Sequence, residues 1–340
     1  MILSFIIPFF NASTRDISRC LDSIYNSIPE GVKLSDFEVI CVNDASTLSD
    51  GVRAVDDYRH LGDHPSNLIL LHHSVNKKVG GARNTAIKEA RGRFIYQIDS
   101  DDFLEDGAFK TMIDCIDQQE DVDIFMFDYR TIDEDGVITN PPHHFSNNRL
   151  NVRLSGSEFI LSQGIDGYVW LFLFRREFLS KSNIQFVENV TFEDEDYLWK
   201  VIMRAKSMLF LPEVIVTHTI NKNQITNFIG SEEKICQFYE FYHRLAVIIQ
   251  TTLRCNPKVG MRLLESYNSK MIYVMLRRLI WQLPYRRVRE ILVKYPPVGG
   301  VDLPPVLAAM RRWPRAMAVA IAAVSPAIRL VYKLYILVRR

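Results

Sequence analysis

Carboxylates, amides and hydroxyls gather where three apolar runs of this 340-residue chain stop. Residues 2–10 run into Asn11, residues 37–42 into Asn43-Asp44-Ala45-Ser46-Thr47, and residues 94–98 into Asp99-Ser100-Asp101-Asp102. Clustered carboxylates repel one another unless a cation sits among them. Oxygen donors without His or Cys suit magnesium or manganese, ions that keep several waters and bind substrate phosphates. Asp-x-Asp spacing fits that role, because alternate residues of an extended segment point the same way. The alternative reading of the same residues is an Asp-rich turn capping a helix that begins near Phe103. Between the second and last of these sites, Lys77-Lys78-Val79-Gly80-Gly81-Ala82-Arg83-Asn84 sets glycines and cations ahead of a helix-like stretch. Glycine permits close backbone approach and a helix N-terminus favours phosphate, although Gly-Gly-Ala also makes an ordinary tight turn. A second acidic run, Glu193-Asp194-Glu195-Asp196, cannot aim every side chain at one site if it is helical, since i and i+1 diverge. One or two of the four can do chemistry; the rest form a solvated helix start.

Such groups need a scaffold that brings strand ends together. Residues 2–10, 37–42, 68–72 and 94–98 read as buried strands, and residues 17–27 and 82–90 carry helical spacing. Continuous apolar strands separated by helices predict a mainly parallel sheet covered on both faces, with ligands beyond the carboxyl ends of the strands. Past about residue 230 the strand signals stop. Residues 231–253 and 257–283 read as amphipathic helices, broken at Cys255-Asn256-Pro257 and Leu283-Pro284, and a Pro/Gly-rich joint follows at residues 296–300. The expected organisation is a catalytic α/β domain over residues 1–230, a helical extension over 231–298 and a basic amphipathic tail over 299–340.

Composition narrows the class. With 48% hydrophobic and 24% charged residues the chain can bury a core, which excludes a disordered protein, and 15 Gly with 14 Pro exclude a collagen-like one. Five Cys without pairing or zinc spacing give no disulfide framework and favour a reducing compartment. The apolar start lacks a basic leader and a small-residue cleavage site, so it does not read as a signal peptide. The net charge of +1 conceals an asymmetry: residues 254–340 hold 17 of the 41 basic residues but 3 of the 40 acidic ones, leaving 24 and 37 for residues 1–253. A basic tail implies an anionic neighbour. The apolar stretch 316–328 is shorter than the ~20 residues a spanning helix needs, and Pro326 and Arg329 interrupt it. Trp313, Tyr332 and Tyr335 suit headgroup depth, so an interfacial helix on an anionic membrane is expected, each Lys or Arg contributing about 1 kcal/mol. Packing on the catalytic domain or an oligomer interface is the alternative. The apolar content of the tail suits lipid better than nucleic acid.

Taken in order, these segments resemble the inverting glycosyltransferases of family two, which have the GT-A fold. The matching stretches are Phe5-Ile6-Ile7-Pro8-Phe9-Phe10-Asn11, Val42-Asn43-Asp44-Ala45-Ser46-Thr47, Gly80-Gly81-Ala82-Arg83-Asn84, Ile98-Asp99-Ser100-Asp101-Asp102 and Phe192-Glu193-Asp194-Glu195-Asp196-Tyr197. Together they cover about residues 1–230. The resemblance implies a Rossmann-like, mainly parallel α/β sheet flanked by helices, with a helical C-terminal extension. It implies that Pro8, Phe9 and Asn11 line the nucleotide-base pocket, that Asp44 hydrogen-bonds the base, and that Arg83 and Gly81 border the nucleotide. Relatives commonly carry Asp where this chain has Asn43, which puts more weight on Asp44. Asp99 would face the ribose or sugar and share metal binding with Asp101, which holds a Mn2+ or Mg2+ ion bridging the diphosphate. Asp194 would be the general base that deprotonates the acceptor hydroxyl, with Glu193 beside it as an acceptor-binding residue.

Trp170 falls where these enzymes often carry a Trp-x-x-x-Phe/Tyr-Arg segment, so an acceptor-side role and a core role both stand. His218 lies near the place of a third metal ligand in some relatives, but the downstream Asn221, Asn223, Gln224 and Thr226 depart from the common pattern. It is read as a satisfied structural histidine, and His72, His73, His143 and His144 are unassigned. The resemblance implies transfer from a nucleotide-diphosphate sugar, a UDP-sugar as first choice, to a glycan or lipid-linked acceptor in bacterial surface-polysaccharide synthesis, at the inner face of the cell membrane. Two other readings share the fold. A nucleotidyltransferase needs a Gly-rich basic loop straight after the first strand, and Pro8-Phe9-Phe10-Asn11-Ala12 has no Gly. A non-catalytic membrane-associated protein would have a decayed site, whereas Asp44, Asp99, Asp101 and Asp194 are all present.

Overall fold

The computed structural model describes residues 1–60, 65–119, 121–133, 135–140, 151–163, 167–220 and 232–274. The expected membrane-associating tail, 299–340, and residues 275–298 of the helical extension lie outside them. The chain divides into two compact units, Met1–Asn227 and Phe228–Arg340.

In the first unit strands and helices alternate. They run β1 (Leu3–Phe9), α1 (Thr14–Tyr25), β2 (Phe37–Asn43), α2 (Asp50–His60), β3 (Leu68–His72), α3 (Lys78–Glu89), β4 (Phe94–Gln97), β5 (Phe103–Leu104) and α4 (Ala108–Gln118). They continue with β6 (Ile124–Asp133), β7 (Ile138–Asn140), β8 (Arg153–Leu154), α5 (Gly156–Gln163), β9 (Phe172–Arg175), α6 (Arg176–Ser182), α7 (Asp194–Arg204) and β10 (Met208–Ile220). Every residue of β1, β2 and β4 is buried, which is why these strands read as unbroken apolar runs instead of alternating ones. Phe5 packs edge-on against Phe37, Tyr96 and Phe109 with ring centroids 6.3, 6.2 and 5.0 Å away, joining three strands to α4.

The sheet has the order β3-β2-β1-β4-β9-β6-β10-β5, with β7 beside β6 and β8 beside β10. The expected parallel pairing holds for β3, β2, β1 and β4. Beyond β4 the sheet is mixed: β9 inserts antiparallel between β4 and β6, and β6 and β10 then pair parallel. The GT-A-type sheet is therefore α/β, flanked by helices, with one parallel block of β1 to β4 and a separate parallel pair, β6 and β10, beyond β9.

Two boundaries differ from the sequence expectation. The helix expected near Phe103 starts at Ala108, because Phe103 and Leu104 first pair with Thr217 and Val216 of β10. Gly80 and Gly81 lie inside the first turn of α3, not ahead of it. A Cβ on Gly80 would fall 2.8 Å from the carbonyl oxygen of Val187, and one on Gly81 2.4 Å from Lys77 Cβ, so close packing explains both glycines. The N-terminus of α1 is held by Ser13, whose Oγ accepts from the Asp16 amide.

In the second unit α8 (Glu232–Cys255) and α9 (Pro257–Val274) are separated at Asn256, where Pro257 starts a new helix. Gly260 allows the close approach, since a Cβ there would meet Leu253 Cα at 2.7 Å. Among the described residues no helix is long and apolar enough to cross a membrane.

Gly156 controls how α5 meets α7. A Cβ at this position would lie 1.6 Å from the carbonyl oxygen of Ile202, backbone that cannot swing aside. We expect Gly156→Ala to lower the unfolding free energy by at least ~2 kcal/mol, at the strong end of overpacking effects, in a urea titration. An unchanged midpoint would mean that α5 does not rest on α7 in this way.

Candidate active site

The carboxyl ends of β1, β2 and β4 meet at one edge, as continuous parallel strands require. Asn11 leaves β1 in the left-handed region (φ 51°), which asparagine tolerates. Its Oδ1 accepts from the amides of Thr47 (2.8 Å) and Leu48 (3.0 Å), and its own amide donates to Ser46 Oγ (2.8 Å). Asn11 thus staples the β1 loop to the β2 loop. Pro8 and Phe9, expected with it around a base, are buried, while Phe10 is half exposed at the same edge.

Asp44 is tightly held. Its amide donates to the Phe9 carbonyl (2.9 Å), and its Oδ1 accepts from His73 Nδ1 (2.7 Å) and the Lys77 amide (2.9 Å). His73 Nε2 in turn meets Thr85 Oγ1 at 2.8 Å. Asp44 Oδ2 is buried and receives no hydrogen bond. Asn43 shapes the turn instead, accepting from the Ser46 amide at 2.9 Å.

Arg83 is the centre of the site. Its side chain is 2% exposed and lies over the Phe186 ring at 5.5 Å. Nη2 donates to Asp99 Oδ1 (2.7 Å); Nη1 donates to Glu193 Oε1 (2.7 Å) and to Asp194 Oδ1. One guanidinium therefore joins the residue that ends β4 to the residue that begins α7. Asp99 and Asp194 keep 31% and 21% of their side chains exposed, whereas Glu193 is buried. Burial holds the Asp194 carboxyl well above the usual carboxylate range, Arg83 pulls it back, and Glu193 and Asp99 push it up again. Arg83 was expected to border the nucleotide; in the structure its guanidinium meets carboxylates. The four-carboxylate run departs from the expected solvated helix start: Glu193, the N-cap of α7, and Asp194 both turn to Arg83, and Asp196 is buried. Phe192, with φ at 61°, sets the entry angle of α7; such a conformation costs a bulky residue roughly 1–3 kcal/mol.

The Asp-rich turn forms a second cluster. Asp102 is buried, and its two oxygens lie 3.0 Å from His218 Nδ1 while Oδ1 also accepts from the Thr219 amide (2.9 Å). Arg19, which the sequence did not single out, donates to the Asp101 carbonyl (2.5 Å) and Thr219 Oγ1 (2.9 Å) and so pins the turn to β10. His218 is satisfied by Asp102, the structural role expected of it. Burial lowers its affinity for a proton, but Asp102, Asp101 and Asp99 raise its pKa to about 9. Burial and the neighbouring Asp102 and Asp99 push the Asp101 carboxyl up to about 7, with His218 opposing. Among the described residues no group of three or more His, Cys, Asp or Glu is arranged to hold a metal ion. The donor chemistry still suits one: the carboxylates of the Asp99–Asp102 turn are hard oxygen donors, and one of them can serve as a single protein ligand. Magnesium and manganese accept that number when water and phosphate oxygens complete the shell.

Behind this cluster stands an aromatic stack. His218 lies parallel to Trp170 (5.4 Å, 19°), and Trp170 parallel to Tyr168 (4.8 Å, 19°). Trp170 is 2% exposed, so both ring faces are covered and no sugar can stack on it. Its place in the acceptor site falls to the core reading. Tyr168 is the exposed ring of the stack, and the sequence did not mark it, nor His73 or Arg19. Tyr168 precedes a single 3-10 turn, Val169–Leu171, and no sequence periodicity pairs its ring with Trp170.

The family model described as "Glycosyl transferase family 2" matches residues 4–181. The chain is 28% identical over 229 residues to the "Uncharacterized glycosyltransferase EpsJ" of Bacillus subtilis, covering 66% of this chain and 63% of that protein. It is 29% identical over 210 residues to the "Poly(ribitol-phosphate) beta-glucosyltransferase" of Bacillus spizizenii, covering 61% of this chain and 30% of that protein. The chain thus spans less than two thirds of either relative. Among solved structures, Staphylococcus aureus TarS 1–349 in complex with UDP-GlcNAc superposes with a TM-score of 0.72 at 20% identity, over 96% of this chain and 92% of that one. This likeness shows the GT-A fold.

The acidic turn should make stability depend on pH. Asp101 titrates near 3.8 when unfolded and about 7 when folded, and His218 near 6.5 and about 9. Both folded values are raised, so the folded protein holds extra protons and loses stability as pH rises, first between about 4 and 7, then between 6.5 and 9. The thermal midpoint of metal-free protein is expected to fall between pH 6 and pH 9. A flat profile over that range would contradict the cluster's electrostatics.

Proposed function

The chain belongs to glycosyl transferase family 2 and is a glycosyltransferase, and from that premise we propose that it moves a sugar, with inversion, from a uridine-diphosphate sugar to a hydroxyl of a glycan or lipid-linked acceptor. The observation that carries this reading is the single buried guanidinium of Arg83 shared by Asp99 and Asp194. Asp99 stands at the end of the β4 strand, where a donor would lie; Asp194 opens the helix facing it. Fixing both on one rigid group sets the distance between the sugar's anomeric carbon and the base that activates its attacker.

Asp194 is the general base in this reading. Its raised proton affinity suits a group that must take a proton from a hydroxyl of far higher pKa. Arg83 opposes that rise and favours the ionised form from which a base acts. Attack from the side opposite the diphosphate inverts the anomeric carbon without a covalent intermediate. Asp101 would hold a manganese or magnesium ion, which when bound stabilises the charge on the leaving diphosphate.

Asp44 supports a uracil base. With Oδ1 already accepting two hydrogen bonds, Oδ2 remains for one donor. Uracil offers a single imide N–H; guanine presents paired N–H groups that need two acceptors. UDP-GlcNAc in the TarS complex, and relatives named for poly(ribitol-phosphate) glycosylation, support the donor class and a surface-polysaccharide role. The basic residues of 299–340 would hold the enzyme at the inner face of the cell membrane, near a lipid-linked acceptor.

The test is release of nucleotide from a panel of UDP- and GDP-sugars, with Mn2+ or with a chelator. Turnover is expected with a UDP-sugar and Mn2+, falling at least 100-fold on chelation. Asp194→Asn should lower kcat by about 10²–10⁴-fold, the usual contribution of a general base, with the thermal midpoint retained. Asp101→Ala should abolish the response to Mn2+. Full activity in either variant refutes its assigned role. Truncation after Gly300 should move the protein from the membrane to the soluble fraction of a cell lysate; an unchanged distribution removes the tail as anchor.

A further inference from the structure

We propose that Tyr168 is the platform on which the acceptor's sugar ring stacks, an inference that rests on the glycosyltransferase reading but not on the identity of the donor. The ring is 41% exposed, yet it is built in from behind. Trp170 lies parallel to it at 4.8 Å, Tyr129 is 5.9 Å away at 59°, and His218 is 6.4 Å away at 33°. An aromatic ring fixed in this way gives up little conformational freedom when a ligand covers it. Its flat apolar face matches the C–H face of a pyranose, and its hydroxyl rim can remain in water.

Position selects the acceptor over the donor. On one side Tyr168 reaches the acidic turn through His218, which is 3.0 Å from Asp102. On the other side its neighbour Gly167 touches the helix that carries the base. A Cβ on Gly167 would lie 3.1 Å from Glu195 Cβ and 3.3 Å from its Oε2, one residue past Asp194. The residue pair 167–168 therefore bridges the two carboxylate clusters between which an attacking hydroxyl has to be delivered. The base-binding loops of β1 and β2, with Asp44, belong to different strands. Trp170 cannot serve, because only 2% of it is exposed.

The experiment uses the full chain, saturated with UDP and Mn2+, on a printed glycan array, with UDP binding followed separately by thermal shift. Wild type is expected to bind a subset of glycans. Tyr168→Phe, which keeps the ring, should bind the same glycans within twofold. Tyr168→Ala should lose at least tenfold of the signal while its UDP-induced thermal shift stays unchanged. Equal array binding by Tyr168→Ala and wild type overturns the proposal, as does wild type that binds UDP but no glycan, or a Tyr168→Ala variant that loses UDP binding as well. Failure of wild type to bind UDP would instead count against the donor reading, leaving the array comparison of Ala with Phe to judge Tyr168.

Discussion

Everything at the active edge depends on one buried cation. Arg83 has no water to solvate it, so the carboxylates of Glu193, Asp99 and Asp194 must do so. The pair it forms with Glu193 is fully desolvated, and removing one member of such a pair costs about 3–5 kcal/mol, because the other charge is left buried alone. The guanidinium cannot shed its proton to escape that penalty. It therefore works as a fixed post. The planar fork of donors determines where three carboxylates stand, and two of them remain partly open to the solvent side where substrates arrive. Arginine suits this better than lysine, whose ammonium would not set the directions of several bonds at once.

Fixing the post requires close backbone contacts, and these explain the glycines nearby. Gly80 brings α3 against Val187 and Glu193, so the helix bearing Arg83 touches the segment that leads to Asp194. Asn84 adds a reciprocal pair with the Phe186 backbone, donating to its carbonyl (3.0 Å) and accepting from its amide (2.9 Å). The sequence Gly80-Gly81-Ala82-Arg83-Asn84 is thus a docking surface in which small residues permit approach, Asn84 fixes register and Arg83 supplies charge. The structure adds to the sequence reading of this segment its contacts with Phe186, Val187 and Glu193.

How much of this was legible follows from the range of each interaction. The strands β1, β2 and β4 stood out because burial on both faces writes a largely apolar run, a purely local signal. The acidic turns stood out because chemistry at strand ends concentrates unusual residues in short stretches. What stayed hidden was long-range pairing. Arg83 meets Asp194 across 111 positions and His218 meets Asp102 across 116. Nothing in either local sequence names its partner. The left-handed Asn11 and its grip on Thr47 and Leu48 were likewise invisible in the sequence. Trp170 was ambiguous for the same reason: only the rings covering it, from residues 168 and 218, decide between core and contact surface.

The mixed half of the sheet is where this ambiguity concentrates, and its topology gives the reason. Parallel strands joined by helices place each strand end next to the last, so the donor side of the site is assembled nearly in chain order. Strand β9 runs antiparallel to β4, so it is the segment entering it, residues 167–171, that arrives beside the acidic turn. Tyr96 on β4 holds that segment, donating its buried hydroxyl to the Trp170 carbonyl at 2.7 Å. Reversal of one strand thus brings a stretch from far along the chain to the edge that the first four strands built. The donor side rests on local motifs, while the opposite side rests on whatever residues β9 carries at its entry. In the reading proposed here, the entry to one strand carries the acceptor contact while the Arg83 post, set by other elements, carries Asp194.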